Sequence, residues 1–183
     1  MDSGTDCIVN AANARGVMGA GVAGAIRNAG GYEIQNEARG VCRKDKNKIS
    51  DGSCYRTGSG LLSDRGIKAI YHAVTMKEPG GMASLHSVSL AMEQVILSAI
   101  ADGMESIAIP GLGIGIGRLE KSSVARIMVK VARRYIDQIT IVFVDLNKDF
   151  VVEIEKCLKV GDSDERIRES DISIEQGLAG DPD

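Results

Sequence analysis

The chain has 183 residues, 44% of them hydrophobic, which is enough for one globular domain with a full core. Aromatic residues make up 3% and tryptophan is absent, which argues against a stacking platform for single-stranded nucleic acid. The formal net charge of -3, without a basic stripe, also argues against nucleic acid as a partner.

The four cysteines, Cys7, Cys42, Cys54 and Cys157, lie far apart, with no CxxC pair and no Cys/His spacing suited to zinc. We therefore expect reduced thiols and no metal site. No apolar run approaches the length of a membrane span, and no signal segment opens the chain. These features predict a cytoplasmic protein with no membrane partner.

Strands and helices are predicted to alternate along the chain. In order, the pattern gives a buried strand from Asp6 that carries two asparagines at its end, helices at 22–28 and 32–43, strands at 54–57 and 67–74, a helix from 84 to about 102, a strand at 107–109, a helix at 119–135, a strand at 139–144 and a helix at 149–158. This alternation indicates a layered α/β sheet with ligand loops at the carboxyl ends of strands.

Acidic residues are concentrated at the carboxyl end. Residues 161–183 contain eight Asp or Glu and two Arg, which leaves the first 160 residues with a net charge near +3. The acidic stretch is polar and lacks periodicity, so we predict a domain at 6–158 and a disordered tail at 159–183. The modestly basic body suits an anionic ligand, and the tail is either a solubilising or a partner-binding extension.

Glycines follow the first strand at Gly19, Gly21 and Gly24, matching the spacing of a dinucleotide-binding fingerprint. In a standard NAD site the first glycine ends the strand, and an acid follows about 20 residues later on a second strand. Here eight residues separate Asn10 from Gly19, and the segment beyond Gly24 is predicted to be helical. An NAD-dependent oxidoreductase is therefore the weaker alternative.

Three segments resemble the macro domain family over residues 6–158. Residues 6–13 (DCIVNAAN) and 19–23 (GAGVA) are similar to its first ligand loop, residues 106–117 (SIAIPGLGIGIG) to its second, and residues 70–75 (IYHAVT) to its central strand. The resemblance implies a three-layer α/β/α fold with a mixed central sheet and ADP-ribose bound along its top. Family members usually begin with one or two strands ahead of the segment at Asp6, so we expect these strands to be missing here.

The resemblance also implies roles for individual residues. Asp6 would bind the adenine amine, and Asn13 would contact the distal ribose and is the one candidate catalytic residue. Phe150 would either stack on adenine or pack in the core. The full set of expected ligand-binding residues is Asp6, Cys7, Ile8, Ala12, Asn13, Gly19, Gly21, Val22, Ala23, Pro110, Gly113, Ile114, Gly115, Ile116, Gly117 and Phe150.

The resemblance predicts binding of ADP-ribose or a mono-ADP-ribosylated protein or small molecule, with no cofactor. It leaves open an ADP-ribosyl hydrolase, an ADP-ribose 1''-phosphate phosphatase or a non-catalytic reader. Many hydrolytic members carry an aspartate at the position of Ala23, and many carry an aromatic residue at the position of Gly117. His72 is either a general base or a hydrogen-bonded core residue.

Overall fold

A computed structural model describes residues 4–45 and 48–160, together with the backbone of residues 172–176. One six-stranded sheet lies between two layers of helices. In chain order the elements are β1 (Cys7–Asn13), α1 (Gly21–Gly30), α2 (Tyr32–Lys44), β2 (Cys54–Thr57), a 3₁₀ helix (Gly60–Arg65), β3 (Ala69–Met76), α3 (Leu85–Ala101), β4 (Ser106–Ile109), α4 (Lys121–Ala132), β5 (Thr140–Asp145), α5 (Lys148–Lys159) and β6 (Ile172–Gln176).

The strand order across the sheet is β2-β3-β1-β4-β5-β6. Strand β2 runs antiparallel to β3, and every other neighbouring pair is parallel. The sheet is therefore mixed, and the predicted three-layer α/β/α fold is confirmed.

Alternation along β1 assigns its side chains to the two helical layers. Cys7 and Val9 pack into the cluster formed with α3, α4 and α5, whereas Ile8 packs into the cluster under α1 and α2. Strand β3 is buried along its whole length. Because both faces of these central strands are covered by helices, their sequences are almost continuously apolar.

The far edge of β5 is covered by a strand from the acidic segment. Strand β6 pairs in parallel with β5, from Ile141↔Ile172 to Asp145↔Gln176. The disorder predicted for the tail is therefore wrong for these five residues, and the other residues from 161 to 183 lie outside the described part of the chain. Ile172 and Ile174 alternate with polar residues, a period-two pattern suited to an edge strand. Residues 4–6, ahead of β1, form no strand.

Phe150 lies in the first turn of α5 and packs into the core. Its side chain is 1% exposed and belongs to the cluster shared by α3, α4 and α5. Asn147 caps this helix through a hydrogen bond from the Phe150 N–H, which turns the ring toward the sheet. A ring buried in this way cannot stack on a bound base, so the core alternative is the correct one.

We expect the substitution Phe150→Ala to lower the free energy of unfolding by about 3–5 kcal/mol, because it removes a buried aromatic ring and leaves a cavity. Urea unfolding at pH 7 measures the change. Val152→Ala, on the exposed side of α5, is the matched control and should change the free energy by less than about 0.5 kcal/mol. Equal effects of the two substitutions would contradict a core role for Phe150.

Candidate functional site

Strands β1 and β4 separate toward their carboxyl ends and open a cleft between them. They pair only at Cys7↔Ile107 and Ile8↔Ala108, although β1 continues to Asn13. From β1 the chain continues to β2 and then β3 on one side of the cleft, and from β4 it continues to β5 on the other side. Such a reversal of strand order is where open α/β sheets bind ligands, at the carboxyl edge.

The N-terminus of helix α1 lies at this cleft and has no side-chain cap. Its N-cap residue, Ala20, has no side-chain cap, and the first turn contains no acidic residue. Among the five α-helices of the described chain, α1 alone lacks both features. The N–H groups of Gly21, Val22 and Ala23 therefore have no acceptor within the helix, and the helix dipole favours an anion beside them.

Loop 1, residues 14–20, is held in shape by two buried amide side chains. Asn13 accepts hydrogen bonds from the N–H groups of Arg15 (3.1 Å) and Val17 (3.3 Å), and its Nδ2 donates to the carbonyl of Val17 at 2.8 Å. Gln35, on α2, accepts from the Met18 N–H at 2.9 Å. The loop is therefore fixed before any ligand binds.

These contacts change the role expected for Asn13. The residue does lie at the end of β1 beside the cleft, but it is 8% exposed and three backbone contacts engage its amide. Both lone-pair directions of its Oδ1 are taken, and one Nδ2 hydrogen is left over. Asn13 thus shapes loop 1, with at most one donor directed elsewhere.

An ion pair joins loop 1 to the loop that follows β3. The Arg15 guanidinium donates through Nε and Nη2 to the carboxylate of Glu78, and both side chains are about half exposed. The N–H of Ala14 also donates to the carbonyl of Met76 at 3.0 Å. Loop 1 is therefore attached to its neighbours on both sides, by Gln35 to α2 and by these contacts to β3.

Loop 2, residues 110–120, follows β4 and closes on itself through two backbone hydrogen bonds. The Leu119 N–H donates to the carbonyl of Gly113 at 3.0 Å, and the Arg118 N–H donates to the carbonyl of Gly115 at 3.1 Å. Within the described residues, none of the hydrogen bonds uses the N–H groups from Ile114 to Gly117. A run of free backbone donors at the carboxyl end of β4 is suited to an anionic ligand.

The N-terminus of α4, at the end of loop 2, is capped by the carboxylate of Glu120. The carboxylate of Glu120 accepts from the N–H groups of Ser122 (3.1 Å) and Ser123 (2.9 Å) and from both serine hydroxyls. These bonds lower the pKa of Glu120 to about 2. The dipole of α4 is therefore already used, and α1 supplies the free helix N-terminus at the cleft.

Glycines of loop 2, of the end of loop 1 and of the start of α1 fall into two groups. At Gly19, Gly21 and Gly115 an added Cβ would have no heavy atom within 4 Å, so the backbone borders open space. Gly111 and Gly113 are packed instead, and an added Cβ would lie 2.8 Å from Asp145 Oδ2 or 3.0 Å from Leu119 Cδ1. The first group can line a ligand, whereas the second allows the fold to close.

Gly117 belongs to the packed group, which explains a departure from the family pattern. A Cβ there would lie 2.7 Å from the carbonyl oxygen of Gly113 and 2.8 Å from the Cβ of Ala83. The loop after β3 therefore occupies the space that a side chain at this position would need. An aromatic side chain, which many family members carry at this position, would not fit at Gly117.

Asp6 does not lie at the cleft. It precedes β1, at the opposite edge of the sheet from loops 1 and 2, and its carboxylate binds Lys68 Nζ at 2.7 Å and the Glu105 N–H at 2.8 Å. The Lys68 contact is the main reason that the pKa of Asp6 is lowered. The predicted contact between Asp6 and adenine is wrong, because β1 separates this carboxylate from the carboxyl edge.

The other predicted residues are divided between core and cleft. Cys7 and Ile8 are buried in the amino half of β1, and burial raises the pKa of the Cys7 thiol to about 12. Neither faces the carboxyl edge. Ala12 and Pro110 are buried at the strand ends. Val22 and Ala23 lie in the first turn of α1, where Ala23 is buried in the cluster under α1 and α2 and Val22 packs against that cluster. Ile114 is half-buried and Ile116 is exposed in loop 2.

A buried polar chain beneath loop 1 contains His72. The Thr57 hydroxyl donates to the carbonyl of Gly58 (3.0 Å), so it accepts from His72 Nε2–H (2.9 Å), and His72 Nδ1 accepts from Asn10 Nδ2 (3.1 Å). The ring of Tyr55 stacks on the imidazole with centroids 4.4 Å apart. Burial lowers the pKa of His72 to about 3. His72 is therefore a neutral core residue that braces β1.

No group of three or more His, Cys, Asp or Glu side chains in the described part of the chain could hold a metal ion. Likewise, no helix formed by the described residues is long and apolar enough to cross a membrane.

The arrangement defines a class of protein: an α/β protein with two glycine-rich loops and a free helix N-terminus at a switch in strand order. Residues 9–128 match the family model described as "Macro domain". The chain therefore belongs to the macro domain family. An uncharacterized protein of Aquifex aeolicus is 37% identical over 155 residues, which are 84% of this chain and 89% of that protein. Other relatives are longer, and the match covers 60% of one from Aeropyrum pernix.

Solved structures share the fold. A variant of the Oceanobacillus iheyensis macrodomain with ADPR has a TM-score of 0.76 and 20% identity, and the match covers 87% of each chain. The Trypanosoma brucei macrodomain in complex with ADP-ribose has a TM-score of 0.67 and 24% identity, with 84% of this chain and 63% of that chain covered. At these identities the comparison establishes the fold.

The neutral His72 predicts a component of acid destabilisation. Because the folded protein binds this proton only near pH 3 and the unfolded chain binds it near its ordinary value of about 6.5, stability falls as the pH decreases through this window. We expect His72 to contribute a slope of about 1.4 kcal/mol per pH unit between about pH 6 and pH 4.

Urea unfolding of the wild type and His72→Gln at pH 7 and pH 5 measures this slope. The variant should be less stable at pH 7 but lose less free energy between the two pH values, since carboxylates titrate equally in both proteins. Parallel pH profiles would show that His72 is not kept neutral by the fold.

Proposed function

We propose that this chain binds ADP-ribose, or an ADP-ribosylated protein or small molecule, in the cleft between loops 1 and 2. The observation that carries the proposal is the convergence of free backbone N–H groups from two loops on one switch point: those at the start of α1 and those from Ile114 to Gly117. A diphosphate is the part of ADP-ribose that such donors recognise.

The open glycines support this assignment of the diphosphate. Gly19, Gly21 and Gly115 leave empty space beside their Cα atoms, so phosphate oxygens can approach the backbone closely. No cationic side chain is required, because the helix dipole and several N–H groups together stabilise the charge. Val22 and Ala23 follow Gly21 in the first turn, where the distal ribose would lie.

Hydrolysis would consist of attack by water at C1 of the distal ribose, with release of the attached group after it takes up a proton. In this proposal the loop N–H groups hold the diphosphate, Asn13 fixes loop 1, and a phosphate oxygen of the substrate orients the water. Ala23 places a methyl group where many hydrolytic relatives have a carboxylate. This difference favours binding over fast hydrolysis.

A non-catalytic reader is the second candidate, and Ala23 is the observation that favours it. In a reader the cleft holds the ADP-ribosyl group while the rest of the protein recruits a partner. The acidic segment after α5 could serve that purpose, and β6 is the described part of it. Reader and hydrolase share the same binding determinants, so a binding test precedes any test of catalysis.

The substitution Gly21→Glu should weaken ADP-ribose binding by at least about 100-fold, because it places a carboxylate at the free helix N-terminus and a side chain in the open space beside Gly21. Isothermal titration calorimetry with ADP-ribose measures the affinity, with AMP and NAD as comparison ligands. We expect the wild type to bind ADP-ribose far more tightly than AMP.

Gly66→Glu is the matched control for this experiment. Gly66 also has a positive φ (82°, against 59° for Gly21) and also borders open space, but it ends the 3₁₀ helix after β2. Its variant carries the same backbone strain and the same added charge, and it should bind ADP-ribose normally. Equal losses in the two variants, or no loss in Gly21→Glu, would refute the proposed site.

Ala23→Asp tests whether a missing carboxylate limits hydrolysis. We expect the wild type to release ADP-ribose slowly from a mono-ADP-ribosylated peptide and the variant to release it on the order of 100-fold faster, the usual contribution of a positioned acid or base. Chromatography of the released nucleotide measures the rate. Ala25→Asp, at an exposed position of α1, adds the same charge and should leave the rate unchanged. Equal rates for both variants and the wild type would contradict this explanation.

A further inference from the structure

Loop 2 leaves the sheet at a point where backbone pairing cannot continue. The last pair between β4 and β5 is Ile109↔Phe143, and the next residue of β4's chain is Pro110, which has no N–H. The backbone direction from Gly111 onward is therefore not set by the sheet. Another group must hold the first residues of the loop.

The carboxylate of Asp145, the last residue of β5, takes this role. Its Oδ2 accepts from the N–H of Gly111 at 2.9 Å, and its Oδ1 accepts from the N–H of Asn147 at 2.8 Å. One side chain thus connects the start of loop 2 with the turn that leads into α5. A carboxylate accepts such bonds more strongly than a neutral group would.

The absence of a side chain at Gly111 allows this carboxylate to approach the backbone closely. An added Cβ would lie 2.8 Å from Asp145 Oδ2 and closer still to Ile114 Cδ1, so a larger residue here would have to displace one or both of these side chains. Ile114 begins the run of free N–H groups in the same loop. The contact between Asp145 and Gly111 therefore lies three residues from the proposed phosphate donors.

The negative charge of Asp145 has two opposing effects on the binding of a diphosphate. A negative charge near a bound diphosphate repels it, and this repulsion weakens binding unless the carboxylate also makes a favourable contribution to the site. Here it provides the orientation of loop 2. The two effects have opposite signs, so removal of the side chain distinguishes them.

We propose that Asp145 is a positioning residue of the cleft, which orients loop 2 so that its N–H groups point at the phosphates of the ligand. This inference rests on the proposed binding of a nucleoside diphosphate. Because loop 2 would contact only the phosphates, loss of Asp145 should weaken ADP and ADP-ribose by the same factor.

The test compares the wild type with Asp145→Ala and Asp145→Asn by calorimetry with ADP and ADP-ribose. We expect about tenfold weaker binding of both ligands by Asp145→Ala, an unchanged ratio between them, and an intermediate loss in Asp145→Asn, which keeps one acceptor oxygen. Asn147→Ala is the matched control, since it removes the cap of α5 but leaves both backbone contacts of Asp145. It should bind both nucleotides normally.

Amide hydrogen exchange at Gly111, followed by NMR in the ligand-free protein, gives an independent readout. Exchange should accelerate in Asp145→Ala and stay slow in Asn147→Ala. Unchanged or tighter nucleotide binding by Asp145→Ala would overturn the inference, as would unchanged Gly111 exchange. If the wild type binds neither nucleotide, the proposed function fails, and the Gly111 exchange alone then decides whether Asp145 holds loop 2.

Discussion

The separation of β1 from β4 is the constraint on which the rest of the structure depends. Two residue pairs join these strands at their amino ends, and beyond that point β1 is paired only with β3 and β4 only with β5. Backbone that leaves a sheet in this way has polar groups without partners. The two glycine-rich loops supply those partners in part, and the groups that stay free are directed at the cleft.

A cleft built from backbone donors needs rigid loops, because a mobile loop loses entropy when a ligand orders it. Each loop here is fixed by side chains that lie below it: Asn13 and Gln35 for loop 1 and Asp145 for loop 2. The chain Asn10–His72–Thr57 adds a second layer of support under β1. The hydrogen bonds of these polar side chains thus hold the backbone that forms the cleft.

The sequence was sufficient for the architecture and for the placement of two glycine-rich loops after β1 and β4. Apolar strands, glycines after them and the order of the motifs predicted a layered fold with loops at the carboxyl edge. It could not separate the open Gly21 from the packed Gly117, because that difference depends on Ala83 in another loop. Asp145 was missed for the same reason: its partner, Gly111, is 34 residues away and offers only a backbone N–H.

The errors have a common physical cause as well. Asp6 was assigned from the motif, yet its local contacts decide its position, because Lys68 and the Glu105 N–H hold it at the amino edge. Phe150 was left with two alternatives, and its place in the first turn of the capped helix α5 decides for the core. Strand β6 was not predicted, because a five-residue alternation inside an acidic stretch is a weak signal until the strand that it pairs with, β5, is known.

The chemistry of the cleft follows from what these residues leave free. Backbone N–H groups bind a diphosphate equally well before and during a reaction at the distal ribose, and such uniform binding does not by itself accelerate the chemical step. Acceleration requires a group whose interaction strengthens in the transition state, and the buried methyl group of Ala23 cannot supply one. A substrate phosphate can orient water, but its distance from C1 is set by the ligand and not by the protein. If the cleft binds ADP-ribose as proposed, it is therefore suited first to retention of that ligand, and any turnover would have to come from the substrate's own groups.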